Sequence, residues 1–382
     1  MKTIRRLIYS EVISAIALVA AGFLALFFFF DLVDELQYLG KNSGLPSVSD
    51  IYQIRHALLY VALLIPNHLY ELLPISVLIG TIFVMSRLAQ SSEYTILRTS
   101  GLGPWRALQL LLGLGAVFVV LSFVIGDYVA PASERASQLL KARYQGAITI
   151  GQTGAWLKEK QAYNTYVANV RTLSTGNEMR GVQVFEFDNK GLVVSITRAP
   201  LATFGSEDFW NLKDAVRTEF EVRDGIVGPD AKTRPSAGVT RSAVASFRWP
   251  TEITQEMVSV ALLKPDRMAT YDLFSYIRHL EANGQSAQRY EIEFWKKVFY
   301  PLSCLVMVML ALPFAYLHFR SGGIATYVFA GVMIGISFFL LNNVFGYVGN
   351  LQNWQPWLAA ATPGLLYMAI SLAAFGWLVL RR

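Results

Sequence analysis

Residues 126–145 read GDYVAPASERASQLLKARYQ, and residues 285–297 read QSAQRYEIEFWKK. They are the two ends of the only long polar segment in the chain, with three apolar runs before it and three after it. A bilayer span needs about 20 mainly apolar residues, and each of these runs is long enough. Gly126–Lys297 is therefore predicted to be a water-soluble domain inserted between two halves of a membrane protein.

The composition indicates the same class of protein. Of 382 residues, 54% are hydrophobic and only 16% are charged, with a mean hydropathy of +0.39. A chain this apolar is not an ordinary soluble domain. The net charge of +6 does not indicate nucleic-acid binding, because the Lys and Arg residues are not gathered into one run. Cys304 is the only cysteine, which excludes an internal disulfide.

Six spans are predicted from the apolar runs: Val12–Val33, Leu69–Leu88, Trp105–Ile125, Val298–Phe319, Ile324–Val348 and Trp357–Leu380. The first run exceeds the roughly 7–15 residues of a signal-peptide core, so we expect it to be retained. Asp50–Ile65 is mixed in character and precedes Pro66. It is predicted to be a short amphipathic helix at the membrane surface.

The orientation follows from the Lys and Arg residues in the short connections. One side of the membrane would carry Lys2, Arg5, Arg6, Arg87, Arg98, Arg106, Arg320, Arg381 and Arg382, and the other only Lys41 and Arg55. The positive-inside rule places both termini in the cytoplasm. Residues 126–297 are then expected in the periplasm of a Gram-negative cell, with the spans in its inner membrane.

The inserted segment has the pattern of an all-β domain. Apolar positions alternate along short runs, and turn signals such as Asp188–Gly191 and Asp224–Gly225 recur at intervals typical of a β-sandwich. From about Ala269 the period becomes helical. The predicted organisation is 1–125 for spans 1 to 3, 126–268 for the β-domain, and 269–382 for a connecting helix and spans 4 to 6.

Enzyme motifs are missing from the sequence. There is no Walker A loop, no His-Glu-x-x-His and no Gly-x-Ser-x-Gly. The four histidines are scattered, without a second ligand at metal spacing. The sequence therefore predicts a non-catalytic chain that binds neither a cofactor nor a metal.

A short helix is predicted at about 90–101, between the second and third spans. Ser91 or Ser92 can cap its amino terminus, and Ser100-Gly101 can end it. Exposed apolar and charged side chains there would suit docking into a groove of a partner. The candidate docking residues are Ser92, Glu93, Tyr94, Ile96, Leu97, Arg98 and Gly101. A solvated turn between two spans is the alternative.

Four segments, in order along the chain, carry a resemblance to a known family. They are the end of the first span, the segment after the second span, the exit from the third span, and the entry into the fourth: Leu32–Leu36, Ser92–Gly101, Asp127–Pro131 and Gly284–Leu302. The chain resembles the lipopolysaccharide export permeases, the LptF/LptG family, over essentially its whole length. The Ser-Gly pair after the short helix makes it more similar to the LptG branch.

The resemblance implies a fold and a set of partners. Family members have six spans and a periplasmic β-jellyroll, and an LptF-like and an LptG-like permease pair above an LptB-like ATPase dimer that binds ATP and Mg²⁺. The complex passes lipopolysaccharide to an LptC-like bitopic protein and an LptA-like periplasmic bridge. The short helix at 90–101 matches the family's ATPase-coupling segment.

Basic residues after the third span are candidates for binding the phosphates of the lipid headgroup. Arg and Lys bind phosphate through charge-assisted hydrogen bonds, and the candidates are Lys41, Arg135, Lys141 and Arg143. Lys141 matches a basic position of the family, whereas Asp31, Gln37 and Tyr38 stand where the family has basic residues at the end of span 1. Ordinary interfacial cations are the alternative.

Aromatic side chains in the spans are candidates for a lateral gate or for contact with acyl chains. They are Phe27, Phe30, Phe338 and Phe345, and contact with plain lipid is the alternative. Gly331 and Gly335 allow close helix packing, either within the chain or against a second permease.

A different class of function, a membrane-anchored periplasmic binding or scaffold protein, also remains open. Six spans and a patterned cytoplasmic loop exceed what an anchor requires.

Overall fold

The structure is a computed structural model, and it describes residues 2–40, 51–91, 93–99, 101, 103–145, 154–173, 178–205, 208–223, 236–261, 264–316 and 323–380. Among them, six helices are long and apolar enough to cross a membrane, and a β-sheet domain lies between the third and the fourth. The prediction of six spans with an inserted all-β domain is confirmed.

The amino-terminal half is helical. Its elements are α1 (Lys2–Leu36), α2 (Ile54–Gln90), α3 (Glu93–Thr99), α4 (Pro104–Val124) and α5 (Ala130–Gln145). The helices after the sheet are α6 (Gln255–Ala261), α7 (Thr270–Ala282), α8 (Gln288–Phe299), α9 (Ser303–Ala311), α10 (Ile324–Leu351) and α11 (Pro356–Leu380). Short 3₁₀ turns at Tyr300–Leu302 and Leu312–Tyr316 adjoin α9 and contain Pro301 and Pro313. Span 4 is therefore a broken helix.

The predicted surface helix at Asp50–Ile65 is wrong. Residues 54–65 are the first third of α2, which continues through Pro66 and Pro74. Ala57 and Val61 are almost fully buried, and Ala57 belongs to a small apolar cluster with Tyr52 and Tyr144. Protein contacts, rather than the membrane surface, hold this segment in the helix. With 37 residues α2 is roughly 55 Å long, far more than the hydrocarbon thickness, so it extends well beyond the bilayer.

The third span also continues outward. A π-helical segment, Ile125–Val129, joins α4 directly to α5, which ends at Gln145. In a π-helix each backbone N–H bonds to the carbonyl five residues earlier, and such short segments inside α-helices are frequent at functional sites. The inserted domain therefore begins with 16 residues of helix before its first strand.

The β-domain is one antiparallel sheet of six strands that pair in chain order. The strands are β1 (Ala155–Lys160), β2 (Thr165–Leu173), β3 (Glu178–Phe187), β4 (Val193–Phe204), β5 (Phe209–Arg223) and β6 (Ser236–Pro250). The described strands make no crossover, so their order is a simple meander. The sequence pattern predicted strands but did not give this order.

Two large apolar cores organise the molecule. In the membrane part, α2 is the most buried span, and it packs against α1, α9 and α10. In the β-domain, one face of the sheet buries Val170, Val182 and Leu212 together with α7, which contributes Leu273 and Leu280. Alternation along each strand leaves the opposite face to solvent.

Candidate functional site

The short helix α3 is attached to the membrane core by one of its faces. Tyr94 is 4% exposed, and its ring lies 5.1 Å from the ring of Tyr316 in a T-shaped arrangement. Leu97, one helical turn later, packs against the same core. Residues three apart share a helix face, so this pair fixes α3 against α2 and the end of span 4.

The opposite face of α3 is open. Glu93 is exposed, and Ile96 is 64% exposed. The expectation that Tyr94, Ile96 and Leu97 are all exposed is therefore wrong for Tyr94, which is buried, and for Leu97, which is half-buried. The reason is that a seven-residue helix beside two spans can only be held by burying one of its faces.

The structure describes only some of the candidate docking residues at the two ends of α3. Ser92 and the side chain of Arg98 lie outside the described residues. Gly101 has φ +100°, a conformation that favours glycine, and its carbonyl oxygen accepts a hydrogen bond of 3.1 Å from Nη1 of Arg106. This bond ties the turn after α3 to the first turn of α4.

Lys141, a predicted headgroup residue, is already paired inside the protein. Its Nζ lies 3.1 Å from Oε2 of Glu35, and it stands over the rings of Tyr38 and Tyr60 at 4.8 and 4.5 Å. Glu35 is only 3% exposed and accepts a second hydrogen bond of 3.0 Å from the hydroxyl of Tyr52. Burial and the Glu35 carboxylate raise the pKa of Tyr52, so its hydroxyl keeps the proton that it donates.

Arg135 is also paired, with Asp272 on α7, although the Arg135 side chain is 48% exposed. Lys41 and the side chain of Arg143 lie outside the described residues. Arg135 and Lys141 each have an acidic partner on a different element, so these two described candidates are held in separate ion pairs.

Further contacts join the outer extension of span 3 to the segment that leads into α7. Nη1 of Arg267 lies 2.7 Å from Oε2 of Glu134, which is 5% exposed. Oδ1 of Asp127 accepts a hydrogen bond of 2.7 Å from the backbone N–H of Thr270 at the start of α7. Burial alone would lower the pKa of Arg267, but the Glu134 carboxylate outweighs it and raises that pKa, so Arg267 stays charged.

Lys297 adds a third connection at the π-helical segment. Its side chain is almost fully buried, and Nζ donates a hydrogen bond of 2.9 Å to the carbonyl oxygen of Gly126. A Cβ on Gly126 would overlap the ring of Tyr70, so only glycine fits there. We call the contacts of Gly126, Asp127, Glu134 and Arg135 with α7, α8 and the turn before α7 the connector cluster.

The aromatic gate candidates occupy different environments. Phe30 is 55% exposed, and Phe27 stacks on His68 with 4.8 Å between centroids, while His68 Nε2 lies 2.8 Å from Asp31 Oδ2. Phe338 is 3% exposed and packs on Tyr367, so it is unavailable to a lipid in this conformation, contrary to the gate prediction. Phe345 is half-buried, with its ring 6.1 Å from that of Trp354.

The two glycines of α10 pack within this chain. A Cβ on Gly331 would lie 2.9 Å from Ile82, and one on Gly335 would lie 2.8 Å from Ile75. Both isoleucines belong to α2. The described structure therefore uses this pair for close packing of α10 on α2.

Taken together, six apolar helices, a β-domain inserted after the third span and a docked helix after the second define a polytopic membrane protein with one inserted domain. The chain belongs to the family described as lipopolysaccharide export system permease LptF/LptG, whose sequence profile matches residues 6–380. The predicted family is thus confirmed.

Two relatives give the detail. The lipopolysaccharide export system permease protein LptG of Escherichia coli (strain K12) is 27% identical over 353 residues, which cover 92% of this chain and 90% of the relative. The protein of the same name from Haemophilus influenzae is 23% identical over 385 residues, covering 100% and 99%. Both relatives carry the LptG name, in agreement with the branch predicted from the motifs.

Sequence reasoning missed the acidic partners of its basic residues. Glu35, Glu134 and Asp272 are each separated by more than 100 residues from the cation that they bind. In the sequence, Glu35 and Asp127 belong to the family motifs Leu32–Leu36 and Asp127–Pro131, but nothing in those motifs indicates their partners. A carboxylate at the end of an apolar run can indicate an ion pair, because a buried charge is costly unless it is paired.

Proposed function

We propose that this chain is one of two permease subunits of a transporter that extracts lipopolysaccharide from the bacterial inner membrane. In this proposal both termini are cytoplasmic and residues 126–297 are periplasmic. A separate LptB-like ATPase dimer binds ATP and Mg²⁺, and an LptF-like permease completes the membrane part. The observation that carries the proposal is the geometry of α3, one face of which is fixed to two spans while the other is open.

The geometry of α3 suits the transmission of force. A partner that holds Glu93 and Ile96 would displace Tyr94 and Leu97 with them, because a short helix moves as one body. Tyr94 contacts Tyr316 at the end of span 4, and α3 follows directly on α2. A movement of the partner would therefore reach α2, the most buried span, and the broken span 4.

The connector cluster would carry the movement onward. α5 continues span 3 without a break, and the ion pair between Arg135 and Asp272 joins it to α7. The hydrogen bond from Thr270 also joins α7 to Asp127 in the π-helical segment, and α7 fills the inner face of the sheet. A shift of span 3 would therefore turn the β-domain. In the proposal, that domain passes the lipid to an LptC-like bitopic protein and an LptA-like periplasmic bridge.

The substrate proposal rests on the family and on the exposed surface of the spans. Both relatives are named for lipopolysaccharide export. Phe29 and Phe30 are more than half exposed near the outer end of α1, where a lipid with several acyl chains would enter. Binding of the headgroup by Lys141 would require its pair with Glu35 to open, so we propose this contact only for a loaded state.

The test begins with a tagged chain purified in mild detergent from cells with their native partners. We expect an ATPase and a second six-span protein to co-purify, and ATP hydrolysis to change when lipopolysaccharide is added. A chain that is recovered alone, under conditions that keep other membrane complexes intact, would contradict the proposal and favour an anchored scaffold protein.

A matched pair of variants makes the test specific to α3. Glu93→Lys reverses an exposed charge on α3, and Glu281→Lys reverses an exposed charge on α7, on the other side of the membrane. We expect the first to uncouple ATP hydrolysis from lipid release with insertion intact, and the second to leave coupling unchanged. Equal effects of the two would remove the assignment of Glu93.

A further inference from the structure

A crease crosses the solvent-facing side of the sheet. Gly181 in β3 and Asp214 in β5 both have positive φ, +64° and +51°, and Pro200 in β4 lies between them in the register. The ladder omits these three residues, although it pairs residues on either side of them. The register is unchanged across these positions, so no residue is inserted there. Pro200 has no N–H to give to the ladder, and the positive φ values of Gly181 and Asp214 turn the neighbouring strands locally.

A groove of about 570 Å³ lies along this crease. Three arginines line it, Arg171 from β2, Arg198 from β4 and Arg241 from β6. Each is two strands from the next, so their backbones stand roughly 10 Å apart. Asp214 is the only acidic residue in the lining, which leaves the groove with an excess of positive charge.

These three arginines differ from several other cations of the chain, which are neutralised by ion pairs. Arg135, Lys141, Arg217 and Arg267 each have a carboxylate partner. Within the part of the chain that the structure describes, Arg171, Arg198 and Arg241 form no ion pair. A concave surface with several unneutralised guanidinium groups attracts oxyanions, which arginine binds through two parallel hydrogen bonds.

The rest of the lining suits a sugar more than a bare ion. Gln183 and Thr218 offer hydrogen-bonding groups, while Pro200, Val216 and Val239 offer apolar surface for the C–H face of a ring. Pockets of 300–1,000 Å³ hold organic ligands rather than single ions, and this groove lies within that range.

We propose that this arginine groove binds a phosphorylated saccharide on the outer face of the β-domain, with Arg171, Arg198 and Arg241 on its phosphate groups. The choice of saccharide rests on the proposed transport of lipopolysaccharide, whose lipid A carries phosphates. The groove lies on the face of the sheet opposite to α7, so it is a site separate from the connector cluster and from the spans.

The experiment uses the full chain in detergent micelles. The ligand is deacylated lipopolysaccharide, the phosphorylated oligosaccharide without its acyl chains, carrying a fluorophore and followed by fluorescence anisotropy. The variants are Arg171→Gln, Arg198→Gln and Arg241→Gln. Arg248→Gln is the matched control, because Arg248 is an exposed arginine of the same strand as Arg241 but outside the groove.

We expect each groove variant to weaken binding by about tenfold, as for the loss of one charge-assisted hydrogen bond. The control variant should bind like the unchanged chain, and removing the phosphates from the oligosaccharide should weaken binding at least as much as one groove substitution. Affinity should also fall as salt is raised. Monodisperse elution of each variant verifies that the exposed substitutions leave the fold intact.

Three results would overturn the proposal. One is equal binding by the groove variants and the Arg248→Gln control. Another is competition by inorganic phosphate as strong as that by the oligosaccharide, which would reduce the groove to a phosphate site. The third is stronger competition by an acidic peptide of equal charge, which would indicate a protein partner.

The experiments can contradict the groove proposal and the transport proposal independently of each other. If the chain assembles with a lipid-responsive ATPase but does not bind the oligosaccharide, the groove proposal is wrong and the transport proposal stands. If the groove binds the oligosaccharide but no ATPase assembles, the transport proposal alone is wrong.

Discussion

Replacing Lys141 by methionine tests whether its pair with Glu35 holds the outer ends of three helices together. Glu35 lies in the last turn of α1, Lys141 lies on α5, and Tyr52, which donates to the same carboxylate, precedes α2. Methionine keeps most of the side-chain volume and removes the charge. The buried carboxylate then keeps only the hydroxyl of Tyr52 among the partners described above.

The magnitude follows from the geometry. At 3.1 Å and an effective dielectric constant of about 20, the attraction is about 5 kcal/mol before desolvation is subtracted. Removing one member of a buried pair costs about 3–5 kcal/mol. Because the Lys141 side chain is 29% exposed, water reaches the pair, so we expect the lower value of about 3 kcal/mol.

The assay is unfolding in mixed micelles by titration with sodium dodecyl sulfate, followed by tryptophan fluorescence. Glu35→Gln, the double variant and the unchanged chain complete a double-mutant cycle. Glu35→Gln alone leaves a partly exposed cation and should cost about 1 kcal/mol. The double variant should be more stable than the sum of the single changes predicts, by about 2 kcal/mol. Additive single effects, or a neutral Lys141→Met, would refute the reasoning and free Lys141 for a purely lipid-binding role.

The remaining predictions concern three other parts of the chain. Tyr94→Ala should lower the free energy of unfolding by about 3 kcal/mol, because it removes a buried ring that packs on Tyr316. It should also uncouple ATP hydrolysis from lipid release, whereas Tyr94→Phe should keep the coupling; equal coupling in both variants would argue against a mechanical role of α3. Gly335→Ala should lower the free energy of unfolding by about 1–3 kcal/mol, because its Cβ would lie 2.8 Å from Ile75. Gly364→Ala, with no atom within 4 Å of its Cβ, should leave that free energy unchanged in the same titration. Equal stabilities of the two variants would show that α10 does not pack on α2 this closely. Burial lowers the pKa of His279 on α7 below its ordinary value of 6.5, so the unfolded chain binds more protons and stability should fall as pH drops through 6.5. His279→Gln should flatten that part of the pH profile, and an unchanged slope would contradict the assignment.

The sequence predicted the spans well because each depends on a single local quantity, the length of an apolar run. It failed at residues 54–65, where tertiary contacts to α1 and α5 decide the structure. It also ended the third span near Ile125, because the polar residues after Gly126 obscured a helix that continues through the π-helical segment.

The candidate site was predicted only in part, because its contacts join residues that are far apart in the sequence. The position of α3 followed from its capping residues and from the family motif, but which face it buries depends on Tyr316, more than 200 residues away. The partners of Lys141 and Arg135 are also distant in sequence, at 106 and 137 residues. Pairings of this kind depend on how the helices pack, which a local pattern does not contain.

If the exposed face of α3 docks on an ATPase, photocrosslinking from that face should capture the contact. A benzophenone amino acid at Ile96, which is 64% exposed, is compared with one at Tyr271, which is 73% exposed on α7. We expect irradiation of cells to join the Ile96 variant, and not the Tyr271 variant, to a nucleotide-binding subunit. No adduct from Ile96 in cells that still export lipopolysaccharide, or an equal adduct from Tyr271, would contradict it.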